Sequence, residues 1–143
     1  MSFGKKVVVA FDLNDSSAKQ LKELGQLEFL KDAEVHLVHV YQTTIMTYGL
    51  GEFCQIYPAE PDRGEIERSI TSTITRLLPD HSSSLKIRCL FDENPKEEFC
   101  LYAKEVKADT VIIFTRERHG IFESSFAQYA ARHCQCHVLI MRP

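Results

Sequence analysis

The sequence predicts an α/β fold: a doubly wound, Rossmann-like parallel sheet of five strands with helices on both faces. Three observations lead there. Val7-Val-Val-Ala-Phe11 is a continuous apolar run, which suits a strand buried on both faces and therefore central and parallel. Strand-like and helix-like segments then alternate as β-α-β-(long connection)-α-β-α-β-α-β, the signature of helices layered on a parallel sheet. The last third, Asp109 to Pro143, reads as a complete βαβ unit. It has an apolar run Asp109-Thr-Val-Ile-Ile-Phe114, a polar loop Thr115-Arg-Glu-Arg-His-Gly120, a helical pattern over Glu123 to His133, and a second apolar run His137-Val-Leu-Ile-Met141.

Each element has its own local reason. The first strand stops at Asp12-Leu-Asn-Asp15, where Asn14, Asp15 or Ser16 can cap a helix. Ala18, Leu21, Leu24, Leu27 and Phe29 or Leu30 form that helix's apolar face; Gly25 weakens it, and its end is expected near Lys31-Asp32. Glu34-Val-His-Leu-Val-His-Val-Tyr41 is the second strand. Gln42 to Pro61 is long for a connection and rich in apolar residues around Gly49 and Gly51; a self-packed loop or a short extra helix is expected there, with a functional lid or partner surface as the alternative. Ile66, Ile70, Ile74, Leu77 and Leu78 make the clearest helical stripe, closed by Pro79. In Leu85-Lys-Ile-Arg-Cys-Leu-Phe91 the alternation puts Lys86 and Arg88 on one wet face, which suits a sheet edge. Asn94-Pro95 starts the next helix, with Phe99, Ala103 and Val106 on its buried side.

The chain has 143 residues, so one domain over 1–143 is expected. With 44% hydrophobic and 26% charged residues it has the composition of a globular protein. A net charge of −3 points to neither nucleic acid nor an anionic membrane. The apolar start is too short for a signal-peptide core, and no run approaches the ~20 residues of a membrane span, so a cytoplasmic location is expected. Five cysteines without a Cys-x-x-Cys suit a reducing compartment, with Cys89 and Cys100 as small hydrophobes inside a strand and a helix.

The opening Lys6-Val-Val-Val-Ala-Phe-Asp12, the strand His36-Leu-Val-His-Val40, the helix start Glu93-Asn-Pro95 and the close Tyr129-Ala-Ala-Arg-His133 with Cys136-His-Val-Leu-Ile-Met141 resemble the universal stress protein family. The likeness covers essentially the whole chain. It implies strand order 3-2-1-4-5 with a pocket between strands one and four. The nucleotide-binding branch carries Gly-x2-Gly-x9-Gly-(Ser/Thr) after strand four, where glycines let backbone amides approach phosphates. Here the first two glycine positions hold Phe114 and Glu117. Counting forward puts the closing pair at Ala127-Gln128; aligning backward from Arg132-His133 puts it at Ser124-Ser125 and keeps the helix register. A ring at the first position and a carboxylate at the second both oppose a phosphate. The resemblance is therefore to the branch that lacks the motif and is not expected to bind ATP. Should a nucleotide (ATP or AMP) or another anion bind, the resemblance places it against Asp12, Val40, Thr115, Arg116, Ser124 and Ser125.

From the residues alone, a turn and cap is the better reading of Asp12 and helix capping that of Ser124 and Ser125, and a run such as Arg116, Arg118 and His119 is more often a solvated loop tip than an anion site. His133, Cys134, Cys136 and His137 match no standard zinc spacing, so no metal is expected. His36 and His39 lie on opposite strand faces and cannot form one site. No nucleophile elbow, Walker A loop or Gly-x-Gly-x-x-Gly is present. The expectation is a non-enzymatic adaptor or regulator in stress response, with weak ATP hydrolysis left open and a nucleotide sensor as the alternative. The family likeness makes His137 to Met141 a sheet edge, and pairing with its twin in a homodimer would cover that apolar strand. The other protein partner is not specified by the sequence.

Overall fold

The computed structural model describes residues 3–10, 17–42, 45–49, 52–56, 64–65, 67–69, 71–72, 85–92, 94–114 and 125–141. Five strands form one parallel sheet: β1 (Lys6–Ala10), β2 (Glu34–Gln42), β5 (Leu85–Asp92), β6 (Thr110–Phe114) and β7 (His137–Met141). Their order is β5-β2-β1-β6-β7, which is 3-2-1-4-5 when these five are counted along the chain. The chain thus builds outward from β1 to β2 and β5, then returns to β1's other side for β6 and β7. That reversal creates a switch point between β1 and β6. The register there pairs Val7 with Thr110 and Ala10 with Ile113.

Strand alternation sorts the side chains into two cores. Val7 and Val9 of β1, Val35 and Leu37 of β2 and Ile112 of β6 face the layer that holds Leu24, Leu30 and Ala33. Val8, Val38, Val111 and Ile113 face the opposite layer, with Phe99 and Ala103 of α2 (Pro95–Glu105) and Ala127 and Ala130 of α3 (Ser125–His133). Val7, Val8, Val9, Val111 and Ile112 are each 0% exposed, as a central strand pair covered on both faces requires. Lys86 and Arg88 are exposed on edge strand β5, as the alternation predicts.

Helix α2 is closed at both ends by local chemistry. Asn94 is its N-cap and accepts from the Glu97 N–H at 3.4 Å, with Pro95 in the first turn. At its other end Val106 is the C-cap and Lys107 turns left-handed, with φ of 58°. The Lys107 N–H donates to the Lys104 carbonyl at 3.1 Å and the Ala108 N–H to the Ala103 carbonyl at 2.9 Å, the two bonds of a Schellman motif.

Two elements differ from the sequence-based expectation. Helix α1 (Ser17–Gly25) stops at Gly25, and a separate 3₁₀ turn covers Glu28–Asp32. The apolar stripe continues across the break, but the helical backbone gives way at the residue with the greatest conformational freedom. Where a self-packed loop or a short helix is expected in the long connection, its described residues form β3 (Ile45–Gly49) and β4 (Glu52–Ile56), which pair antiparallel in a sheet of their own. Gly49 pairs with Glu52, so two residues join the strands, the commonest hairpin length. The expected helix near Ile66–Leu78 is seen as helical backbone at 64–65, 67–69 and 71–72.

Candidate functional site

Ligands of doubly wound sheets sit outside the carboxyl ends of the strands, where the winding reverses. In this chain that place lies beyond Ala10 of β1 and Phe114 of β6. Ala10 and Val40 are half-buried and pack on the core under α2 and α3. Phe114 turns the other way and joins Val9 and Ile112 in the first core. Its ring therefore closes the apolar layer at the mouth of the switch point, and its Cβ stands on a backbone that a glycine would leave bare.

Of the residues that the sequence marks for a nucleotide or anion, Val40 lies on β2 near its carboxyl end, and Ser125 is the first residue of α3. Asp12, Thr115, Arg116 and Ser124, together with Arg118 and His119, lie outside the described residues. The first turn of α3 carries no acidic residue, so no side chain there opposes the positive end of its dipole. Ala127, the forward-count position for the closing glycine, is 3% exposed and belongs to the core.

Away from the crevice, a polar network crosses from β2 to β5 and α2. His36 is 4% exposed. Its Nε2 lies 2.9 Å from Glu34 Oε1 and its Nδ1 lies 2.8 Å from the Tyr102 hydroxyl. Lys86 Nζ reaches the same Glu34 oxygen at 2.8 Å. The hydrogen bond from Lys86, then that from His36, holds the Glu34 carboxyl well below the usual range. An ionised Glu34 only accepts, so Nε2 carries the proton, and neutral Nδ1 accepts from Tyr102. Burial pushes the His36 imidazole down, against the pull of Glu34. His39 stands apart from this network, as opposite strand faces require.

Sequence reasoning missed one further constellation. Cys134 Sγ lies 2.8 Å from Cys100 Sγ, joining the turn after α3 to the middle of α2. Nothing in a sequence relates two cysteines 34 positions apart. Among the described residues no group of three or more His, Cys, Asp or Glu side chains is arranged to hold a metal ion, and no helix is long and apolar enough to cross a membrane.

Comparison with known proteins places this geometry. Among curated proteins, none matches the sequence significantly. Solved structures match in fold. A universal stress protein in complex with cAMP is 20% identical, with 96% of each chain covered and a TM-score of 0.67. The universal stress protein UspA from Lactobacillus plantarum is 16% identical over 99% of this chain and 100% of that one, with a TM-score of 0.66. A family protein from Arabidopsis thaliana with AMP bound is 16% identical over 96% and 91% of the two chains, with a TM-score of 0.57. The model of the universal stress protein family matches residues 4–142, the stretch that contains all five strands of the parallel sheet and both of its switch-point edges; this chain belongs to the universal stress protein family.

Proposed function

We propose that this chain is a non-enzymatic adaptor or regulator in stress response, a single domain over residues 1–143 that works as a cytoplasmic homodimer without ATP. The observation that carries this reading is Phe114. A glycine-type phosphate loop needs bare backbone at the end of β6, and here a ring is anchored in the core instead. Position 114 does not fit that role, and Glu117 adds a negative charge at the second glycine position. Thermal unfolding with and without millimolar ATP and magnesium tests the reading. A ligand that binds only the folded state raises the melting temperature, by about 2.7 kcal/mol of stability at a hundred times Kd. No rise is expected; a rise would replace the adaptor with a sensor.

The second reading is that sensor, binding ATP or AMP through a non-standard loop. Two observations favour it: solved relatives hold cAMP and AMP, and the start of α3 is free of acidic side chains. In that case Asp12, Val40, Thr115, Arg116, Ser124 and Ser125 would line the ligand.

The dimer rests on the edge strand. Among the described residues β7 pairs with β6 alone, and along it Ile140 is 42% exposed while Val138, Leu139 and Met141 are half-buried. An apolar edge strand is a template for a second strand, and a two-fold axis would cover both copies at once.

A further inference from the structure

At the amino ends of β6 and β7, opposite the switch-point crevice, a cleft of about 560 Å³ opens between α2 and α3. Cys100, Cys134 and Cys136 line it, with Lys104 and His133 at its wall. Cys100 and Cys134 are half-buried, so their sulfurs face the cleft without being sealed from it. The 2.8 Å between the two sulfurs is inside even the ~3.5–4.0 Å separation of packed carbon atoms. A bond between them, at about 2.05 Å, needs under about 1 Å of movement.

We propose that Cys100 and Cys134 form a peroxide-reactive thiol pair that closes reversibly to a disulfide. The two sulfurs have different roles, set by their places in the fold. Cys134 follows the carboxyl end of α3, and its N–H donates to the Ala130 carbonyl at 2.9 Å. The negative end of a helix dipole disfavours a thiolate there. Sharing its proton with Cys100 also holds Cys134 protonated, and the same hydrogen bond lowers the Cys100 thiol from its ordinary value. Cys100 is thus the nucleophile and Cys134 the resolving thiol. Burial pushes Cys136 up to about 11, which leaves it a poorer nucleophile than Cys100, while Cys134 is the thiol in contact with the Cys100 sulfur.

The Cys100 thiolate attacks one oxygen of a hydroperoxide. An S–O bond forms, the O–O bond breaks, and the departing oxygen takes up a proton as water, or as an alcohol if the peroxide is organic. Cys134 then loses its proton and attacks the Cys100 sulfur. The S–S bond forms as the S–O bond breaks, and a water leaves with that proton. Two thiols lose two electrons and two protons, and the peroxide is reduced by the same two electrons. The link ties the middle of α2 to the junction between α3 and edge strand β7. This inference is independent of whether the crevice at the other end of the sheet holds a nucleotide.

The reduced full-length protein, treated with stoichiometric hydrogen peroxide, is expected to lose about 2 Da and to yield a peptide cross-linked between Cys100 and Cys134. Dithiothreitol should restore the reduced mass, and the oxidised form should melt at the higher temperature. Cys134→Ser should instead trap a dimedone-reactive sulfenic acid at Cys100, Cys100→Ser should abolish the cross-link, and Cys136→Ser should leave it intact. Peptide mapping of the unsubstituted protein decides the pairing even if a variant folds poorly. A cross-link that maps to Cys134–Cys136, or oxidation to sulfinic acid with no cross-link, would overturn the proposal.

Discussion

Asp109 Oδ1 accepts a hydrogen bond of 2.7 Å from the backbone N–H of Gly4. The same carboxylate takes the N–H groups of Lys5 at 3.0 Å and Lys6 at 2.9 Å through Oδ2, and the Thr110 hydroxyl at 2.7 Å through Oδ1. One side chain thereby ties the chain entering β1 to the start of β6. Burial alone would push this carboxyl up, but the donors outweigh burial and hold it below its ordinary value. A depressed carboxyl adds stability that is complete above its unfolded value near ~3.9 and is lost as pH falls through the folded value. Asp109→Asn should cost about 1.5–3 kcal/mol at neutral pH, since charge-assisted bonds are the stronger kind. Urea unfolding at pH 7 and pH 3 checks both points: the gap between wild type and variant should shrink in acid.

Gly4 sits at φ +73°, and a Cβ there would come within 2.8 Å of Phe29 Cδ2. Gly4→Ala should therefore lose about 1–2 kcal/mol through left-handed strain, beyond whatever the Phe29 ring must yield. Lys107 offers the opposite case, a non-glycine residue at the left-handed position of a Schellman cap. Lys107→Gly should gain up to about 1 kcal/mol, with calorimetry of the two variants as the check.

His36 makes stability depend on pH near neutrality. Its imidazole is held below the ordinary value, so the unfolded chain takes up that proton first. Stability is complete above about pH 6.5 and falls as pH drops toward the folded value, by at most about 1.4 kcal/mol per pH unit for one proton. Unfolding followed from pH 8 to 5.5 should show this slope, and His36→Phe should flatten it. An unchanged slope in the variant would assign the effect to another group.

Phe99 is 0% exposed and meets the Phe126 ring at 5.3 Å between centroids. It is the largest fully buried side chain among the described residues, and Phe99→Ala should cost about 3–5 kcal/mol. A loss under about 1 kcal/mol in denaturant titration would mean that this core collapses around the cavity.

Ile140 tests the edge. A charge on an edge strand blocks a second strand from pairing. Ile140→Lys should leave the monomer's melting largely intact and shift sedimentation to the 16.4 kDa of one chain. Unsubstituted protein that already sediments at that mass at micromolar concentration would remove the dimer.

The parts legible in the residues are those set within a few positions. Val7 to Val9 declare a central strand because both faces of the sheet need apolar cover, and Lys86 and Arg88 declare an edge because one face of β5 meets water. Asn94-Pro95 announces a helix because cap and fixed φ act over a single turn. The β3–β4 hairpin was obscure because its joining pair, Leu50-Gly51, lacks the Asn-Gly or Asp-Gly pattern that marks such turns most strongly. Family likeness singled out residues at the carboxyl ends of the strands; of these, Val40 and Ser125 are placed on β2 and α3.

The sequence by itself determined the alternation of strands and helices, since backbone preference and apolar periodicity act locally. Tertiary structure alone decided that Asp109 clasps Gly4, that His36 finds Tyr102 and that Cys100 meets Cys134. Those partners stand 105, 66 and 34 positions apart, and only the pairing of β1 with β6 and the packing of the helices on the sheet bring such distant donors and acceptors within bonding range.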